Sequence, residues 1–144
     1  MAGQKLMICS PQGRFTEGAS RLSGQLCNAV EAFGKHLIYH FNSGDALHVH
    51  LGLFGRIRKH KLPLSEPRGA VRVRLVGNTH AIDINGPTIC KVLCGDEFVK
   101  LTQRLGPDVL RSDANPDLAF KKISNSKNQI GRLIMDQSIM SGIG

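Results

Sequence analysis

The hydrophobic pattern of this chain changes its period near Gly95, and that change limits the folds available to it. Before Gly95, the segment AVRVRLV at 70–76 alternates apolar and basic residues, which is typical of a strand with one buried face. After it, Phe98, Leu101 and Leu105 recur at helical spacing. Strands that precede helices, instead of alternating with them, favour an α+β fold. We therefore predict a β-rich sandwich domain followed by a helical segment.

Turn residues locate the individual elements. The segment 42–45, Asn-Ser-Gly-Asp, separates the apolar strands 36–41 and 46–51 and predicts a β-hairpin. The pattern of residues 25–34 does not distinguish a strand from a helix. The predicted β-sandwich domain covers 1–112, and 113–144 is predicted to begin the helical domain. Further predicted strands cover 5–9, 70–76, 80–84 and 88–93, and predicted helices cover 17–22, 96–105, 115–123 and 129–140.

Charge and cysteine usage narrow the class of protein. Nineteen Lys and Arg residues against eleven Asp and Glu give a formal charge of +8, which favours a polyanionic partner. The four cysteines are irregularly spaced, and no second close pair completes a four-ligand zinc set with Cys90 and Cys94. No apolar run approaches the ~20 residues of a membrane helix. We expect a cytoplasmic protein that binds no membrane.

His48 and His50 lie two residues apart on a predicted strand and therefore share one face. Two such imidazoles can chelate a metal ion, can form an ordinary solvent-facing or hydrogen-bonded pair, or can contact a phosphate beside a lysine. All three interpretations remain open from the spacing alone. Candidate third metal ligands are His36, His40, His80 and Asp83.

The segment LGLFG at 51–55 brackets Leu53 and Phe54 with glycines, and basic residues follow at 56, 58, 59 and 61. Both apolar side chains can fold back into the core. Alternatively, an apolar wedge beside Arg56 and its basic neighbours suits insertion into a DNA base stack, with the flanking phosphates neutralised. Lys35 is either a solvated surface residue or a cation held near a reacting phosphate or sugar.

Three segments in this order resemble the formamidopyrimidine-DNA glycosylase/endonuclease VIII family: GKHLIYHFNSGDALHVHLGLFG at 34–55, QRLGPDVL at 103–110 and MDQSIMSGIG at 135–144. SPQGRFTEGA at 10–19 resembles an actinobacterial endonuclease VIII branch. The resemblance implies a β-sandwich domain, a helix–two-turns–helix domain and a zinc finger. It also implies removal of oxidised bases from damaged double-stranded DNA: the target nucleotide is flipped out, an N-terminal proline forms a Schiff base, and β-elimination nicks the strand.

The same resemblance assigns roles to individual residues. Lys35 matches a lysine that contacts the lesion phosphate and takes part in the lyase step, and His50 matches a nearby strand histidine. Arg104 matches an arginine that touches DNA. Gly52, Leu53 and Phe54 fall where the family fills the gap left by the flipped nucleotide.

The chain also departs from the family pattern. It opens Met-Ala-Gly-Gln, with no proline before Pro11. The family's reaction needs no cofactor, and its zinc finger would lie beyond the C-terminus, so the resemblance implies no cofactor and no metal in this chain. We therefore expect a form truncated at both ends that is catalytically inactive, monomeric and associated with the nucleoid. The alternatives are a non-enzymatic DNA-binding remnant and, ranked last, a two-histidine metal enzyme.

Overall fold

A computed structural model describes residues 1–143 of the chain. The chain divides into two compact units. The sandwich unit comprises residues 1–31 and 36–95. The helical unit comprises residues 32–35 together with the chain from Asp96 onward.

Nine strands form two antiparallel sheets among the described residues. The strands are β1 (Gln4–Lys5), β2 (Met7–Cys9), β3 (Leu26–Phe33), β4 (His36–Phe41), β5 (Ala46–His50), β6 (Arg56–Lys61), β7 (Val71–Val76), β8 (His80–Asn85) and β9 (Ile89–Leu93). One sheet has the order β1-β3-β4-β5-β9, and the other has the order β2-β7-β8-β6. The predicted α+β class and the sandwich are confirmed.

The core of the sandwich unit lies between the two sheets. Alternation along each strand sends one face inward, so Leu47 and Val49 of β5 meet Val73 and Leu75 of β7, and all four side chains are fully buried. A short helix, α1 (Thr16–Leu22), adds its buried Leu22 to the same cluster. The hairpin places His36 opposite His50 in the register of β4 and β5.

Two of the observed strands were not predicted from the sequence pattern. The strand β6 has the sequence RIRKHK, and the pattern does not predict it because its residues are almost all exposed and show no apolar alternation. It forms an edge of its sheet and pairs with β8 alone. The ambiguous stretch 25–34 is the strand β3.

The helical unit contains α2 (Glu97–Arg104), α3 (Pro116–Ser124) and α4 (Ile130–Met135). Asn115 caps α3 by accepting a 3.0 Å hydrogen bond from the Asp117 amide, and Pro116 occupies the first helical position, as the sequence indicates. The units divide at Gly95, whereas the sequence pattern placed the domain boundary after residue 112. α2 belongs to the helical unit because its Phe98 ring packs edge-on against Phe33 of that unit.

Helices of the described residues are short. None of them combines the length and the apolar character that a bilayer-spanning helix requires.

Candidate functional site

Residues 51–55, which we call the knuckle, form a tight turn between β5 and β6. The Gly55 amide donates a 3.0 Å hydrogen bond to the Leu51 carbonyl. Gly52 has φ of +66°, and a side chain there would collide with Thr88. This backbone holds Leu53 92% exposed and Phe54 88% exposed. The alternative in which both side chains fold back into the core is therefore wrong.

Basic residues follow the knuckle directly along β6. Arg56, Arg58, Lys59 and Lys61 are all exposed on this edge strand. Because the side chains of a strand alternate, these cations lie on both faces of β6. The two apolar side chains of the knuckle therefore stand next to a strongly positive surface.

His50 closes β5 immediately before the knuckle, and its ring is tied to the turn. Its Nδ1 accepts a hydrogen bond from the Gly52 amide at 3.2 Å. A neutral imidazole that accepts at Nδ1 carries its hydrogen at Nε2. His50 can therefore donate one N–H group, at Nε2, to a partner.

His48 lies on the same face of β5 but is buried, with 2% of its surface exposed. Its Nε2 shares a 2.8 Å hydrogen bond with Nδ1 of His36. Burial is the main cause that lowers the pKa of His48 to about 4. Positive charge at His36, Lys91 and His50 lowers it further, in that order. At neutral pH, His48 is an uncharged, hydrogen-bonded histidine.

The metal interpretation of these histidines finds little support in their geometry. Among residues 1–143, no group of three or more His, Cys, Asp or Glu side chains is arranged to hold a metal ion. The hydrogen-bonded interpretation of His48 is correct, although its partner is His36 and not His50.

Lys35 belongs to the helical unit, and its side chain is exposed. The preceding Gly34 has φ of +57°, and its amide donates a 2.7 Å hydrogen bond to Oδ2 of Asp108. A side chain at Gly34 would approach the Gly142 nitrogen and the Ser141 Cβ to 3.1 Å. Glycine is required here by both its φ and this close approach, and the backbone under Lys35 is held in place.

Asp108 organises this region and was missed as a functional residue by the sequence reasoning. It is buried, and its second oxygen accepts a 2.9 Å hydrogen bond from the Leu110 amide. It also pairs in a parallel bridge with Ser141, whose hydroxyl donates to the Gly106 carbonyl at 2.9 Å. The signal in the sequence was an acidic residue directly after Gly-Pro in RLGPDVL, a position that favours turns with side-chain acceptors.

Arg111 adds further contacts near Asp108. Its guanidinium lies 4.2 Å from the centre of the Phe33 ring and donates to the Ala32 carbonyl at 3.2 Å. Arg104, the other predicted DNA contact in the helical unit, ends α2 with an exposed side chain.

The candidate residues therefore form two groups. Lys35 and Arg104 belong to the helical unit. A single segment of the sandwich unit, residues 50–56, supplies the others, namely His50, Gly52, Leu53, Phe54 and Arg56.

Residues 6–87 match the family model described as the formamidopyrimidine-DNA glycosylase N-terminal domain, which is more than half of the chain. The chain belongs to this family. The match includes the hairpin, the knuckle and all of β6, so the resembling segment at 34–55, which contains the exposed site, lies within the matched residues.

Individual members of the glycosylase family agree with this assignment. The chain is 44% identical over 147 residues to "Endonuclease 8 1" of Mycobacterium tuberculosis, covering 99% of this chain and 55% of that protein. It is 29% identical over 131 residues to "Endonuclease 8" of Salmonella typhimurium, covering 87% and 50% respectively. The chain thus spans about half the length of the curated relatives it matches.

Solved structures show the same fold. The complex between the Lactococcus lactis Fpg and DNA containing an abasic site superposes with a TM-score of 0.78, covering 100% of this chain and 57% of that chain at 18% identity. A second Lactococcus lactis Fpg, bound non-covalently to DNA containing an AP site, gives 0.79 at 20% identity. The roles of the individual residues remain predictions.

Proposed function

We propose that this chain binds damaged double-stranded DNA and forms part of a base-excision-repair glycosylase and AP lyase that removes oxidised bases. The observation that carries the proposal is the knuckle, where Leu53 and Phe54 are almost fully exposed beside a basic strand. Exposed apolar side chains of this size are unfavourable in water, and they gain free energy when they enter an apolar space. The gap that a flipped nucleotide leaves in a base stack is such a space.

The cationic residues bind the DNA backbone in this proposal. Arg56 neutralises a phosphate next to the knuckle, and His50 donates its Nε2–H to a phosphate oxygen. Glycines at 52 and 55 let the backbone turn sharply and leave both apolar side chains exposed, so that they can enter the duplex. Binding through these cations should weaken steeply as salt is added, because condensed counterions are released from the DNA.

Lys35 and Arg104 bind phosphates from the helical unit. A lysine on a fixed glycine turn is suited to hold a phosphate beside the reacting sugar, where positive charge stabilises the developing negative charge. In the lyase reaction, an amine displaces the base at C1′ and forms a Schiff base, and β-elimination then breaks the 3′ C–O bond. The displacing amine is not among the site residues described above, so binding and incision require separate tests.

The binding test compares two pairs of exposed apolar residues. Leu53→Ser with Phe54→Ser should lower affinity for an abasic-site duplex on the order of tenfold or more, since aromatic contact with bases is worth about 1–3 kcal/mol. Leu118→Ser with Phe120→Ser removes a similar exposed pair from α3 and should leave affinity nearly unchanged. Fluorescence anisotropy measures both. Equal effects of the two double variants would contradict the proposed role of the knuckle.

The incision test uses the same duplex with borohydride. A covalent adduct trapped without added metal would support lyase chemistry in this chain. Tight binding without any adduct would leave the chain with DNA binding alone, which is the second candidate function.

A further inference from the structure

Three imidazoles from the adjacent strands β4 and β5 lie together at the open end of the hairpin, next to the knuckle. The ring of His36 lies 4.7 Å from the ring of His50 and 5.0 Å from the ring of His48, centre to centre. The register of β4 and β5 sets His36 directly opposite His50. His36 therefore touches both the buried histidine and the one that closes the strand before the knuckle.

Hydrogen bonds fix where the protons of this group can lie. His50 accepts at Nδ1 from the Gly52 amide and so carries its hydrogen at Nε2. His36 Nδ1 and His48 Nε2 are 2.8 Å apart, so only one of these two nitrogens carries a hydrogen. The remaining nitrogen of His48, Nδ1, is buried and has no partner among residues 1–143. We call His36 and His48 the histidine dyad.

The groups that face the dyad disfavour positive charge on it. His50 is beside His36, and Lys91 of β9 is opposite His48 in the register of the sheet. Burial lowers the pKa of His36 below its usual value, and the neighbouring His50 adds to the effect. With His48 lowered to about 4, the dyad is neutral at pH 7.

We propose that the histidine dyad positions His50 for a DNA phosphate and takes up one proton when that phosphate binds. The inference rests on the proposed function, because it needs DNA at His50. His36 and His48 are positioning residues in this account. The His36 ring contacts the His50 ring, and the Gly52 amide fixes its Nδ1 by a hydrogen bond.

One proton fits the dyad and a second does not. When His36 is protonated, its Nδ1–H donates to Nε2 of His48, which keeps its own hydrogen at Nδ1. A second proton would place hydrogens on both facing nitrogens and break the bond. A phosphate near His50 attracts the first proton and raises the pKa of His36 relative to the free protein.

The consequence is a pH dependence with a definite sign. A site that gains a proton on binding gains affinity as the pH falls, up to about tenfold per pH unit for one proton. Binding should therefore tighten as the pH falls from about 8 to about 6. Phosphodiesters in a duplex without terminal phosphates do not titrate in this range, so any pH dependence of the affinity must come from the protein.

The experiment measures the affinity of the whole chain for a duplex with an abasic-site analogue and 5′-hydroxyl ends, at constant ionic strength across this range. Wild-type protein should bind several-fold tighter at the acid end. His36→Phe keeps a ring beside His50 but removes the titrating nitrogens, so its affinity should be nearly independent of pH. His80→Phe, a change of the same kind elsewhere in the sandwich unit, should keep the wild-type profile.

Calorimetry of the wild-type protein in two buffers of different ionisation enthalpy counts the protons directly and does not depend on whether a variant folds. A net uptake approaching one proton near the acid end supports the inference. Zero uptake, or a His36→Phe profile identical to wild type, overturns the inference while DNA binding stands. Absence of binding at every pH overturns the proposed function itself.

Discussion

The two units of this chain bury apolar residues to very different extents. The sandwich unit closes its core between two sheets, where side chains such as Leu6, Leu47 and Leu75 have no exposed surface. In the described part of the helical unit, Ala119 and Leu133 are the buried apolar residues, whereas Leu110 in a turn is 88% exposed and the α3 residues Leu118 and Phe120 are also exposed.

Polar contacts supply much of the order in the helical unit. Asp108 binds two backbone amides, and Arg111 binds both the Ala32 carbonyl and the Asp113 carboxylate. An apolar pocket of about 450 Å³ opens beside Val109 and Phe120. Helices of this length depend on tertiary packing of their apolar faces, so the comparison predicts that the helical unit is the less stable of the two.

The largest expected difference concerns core truncation. Leu75→Ala in the sandwich unit should reduce the free energy of unfolding by about 2–5 kcal/mol, because it leaves a cavity among fully buried neighbours. Leu118→Ala on α3 is the matched change at an exposed position and should cost less than about 0.5 kcal/mol. Urea unfolding followed by circular dichroism measures both. Similar losses would show that the helical unit packs as tightly as the sandwich.

The next largest effect is specific to the sandwich unit and depends on pH. The unfolded chain protonates His48 near 6.5, but the folded chain does so only near 4, so stability falls as the pH drops through this window. The loss from His48 should reach roughly 3 kcal/mol at the acid end. Urea midpoints at about pH 7 and about pH 4.5 should differ more for wild type than for His48→Gln. An equal fall in both proteins would assign the effect to other groups.

A smaller effect tests the polar contacts of the helical unit. Asp108→Ala leaves the Gly34 and Leu110 amides without their acceptor and should cost about 1–3 kcal/mol. Hydrogen exchange at these two amides should accelerate. Asp108→Asn retains one acceptor oxygen and should give an intermediate rate, while Asp96→Asn on the surface should leave both amides unchanged. Unchanged exchange in the alanine variant would mean that other contacts hold the turn under Lys35.

The smallest expected change in stability is at the knuckle. Leu53→Ser with Phe54→Ser should alter the free energy of unfolding by no more than about 0.5 kcal/mol, because neither side chain contributes to the core. Thermal unfolding checks this. A large destabilisation would mean that these side chains support the fold and are not free to bind a partner.

Local patterns predicted most of the elements correctly. The hairpin of β4 and β5 followed from two apolar runs around a turn, and α3 followed from Asn115 and Pro116. β6 was missed because its partner β8 lies later in the chain and its own residues are charged. The grouping of α2 with the helical unit could not be predicted locally, because Phe98 packs against Phe33, which is distant in the chain.

The candidate site likewise contains features that the sequence predicted and features that it could not predict. The sequence identified the knuckle, the basic run and the paired histidines, since glycine spacing, charge and strand period are local properties. It could not show that Leu53 and Phe54 are exposed, because both burial and exposure agree with the pattern. It missed Asp108, whose partner Gly34 is distant in the chain.

By itself, the sequence determined the family, the α+β order and the chemical character of the hairpin end, because each depends on residues close together in the chain. Only the tertiary structure decided which histidine pairs with which, and which carboxylate holds the lysine turn. Those pairings depend on strand register and on contacts between distant segments, where a shift of one residue exchanges the two faces of a strand.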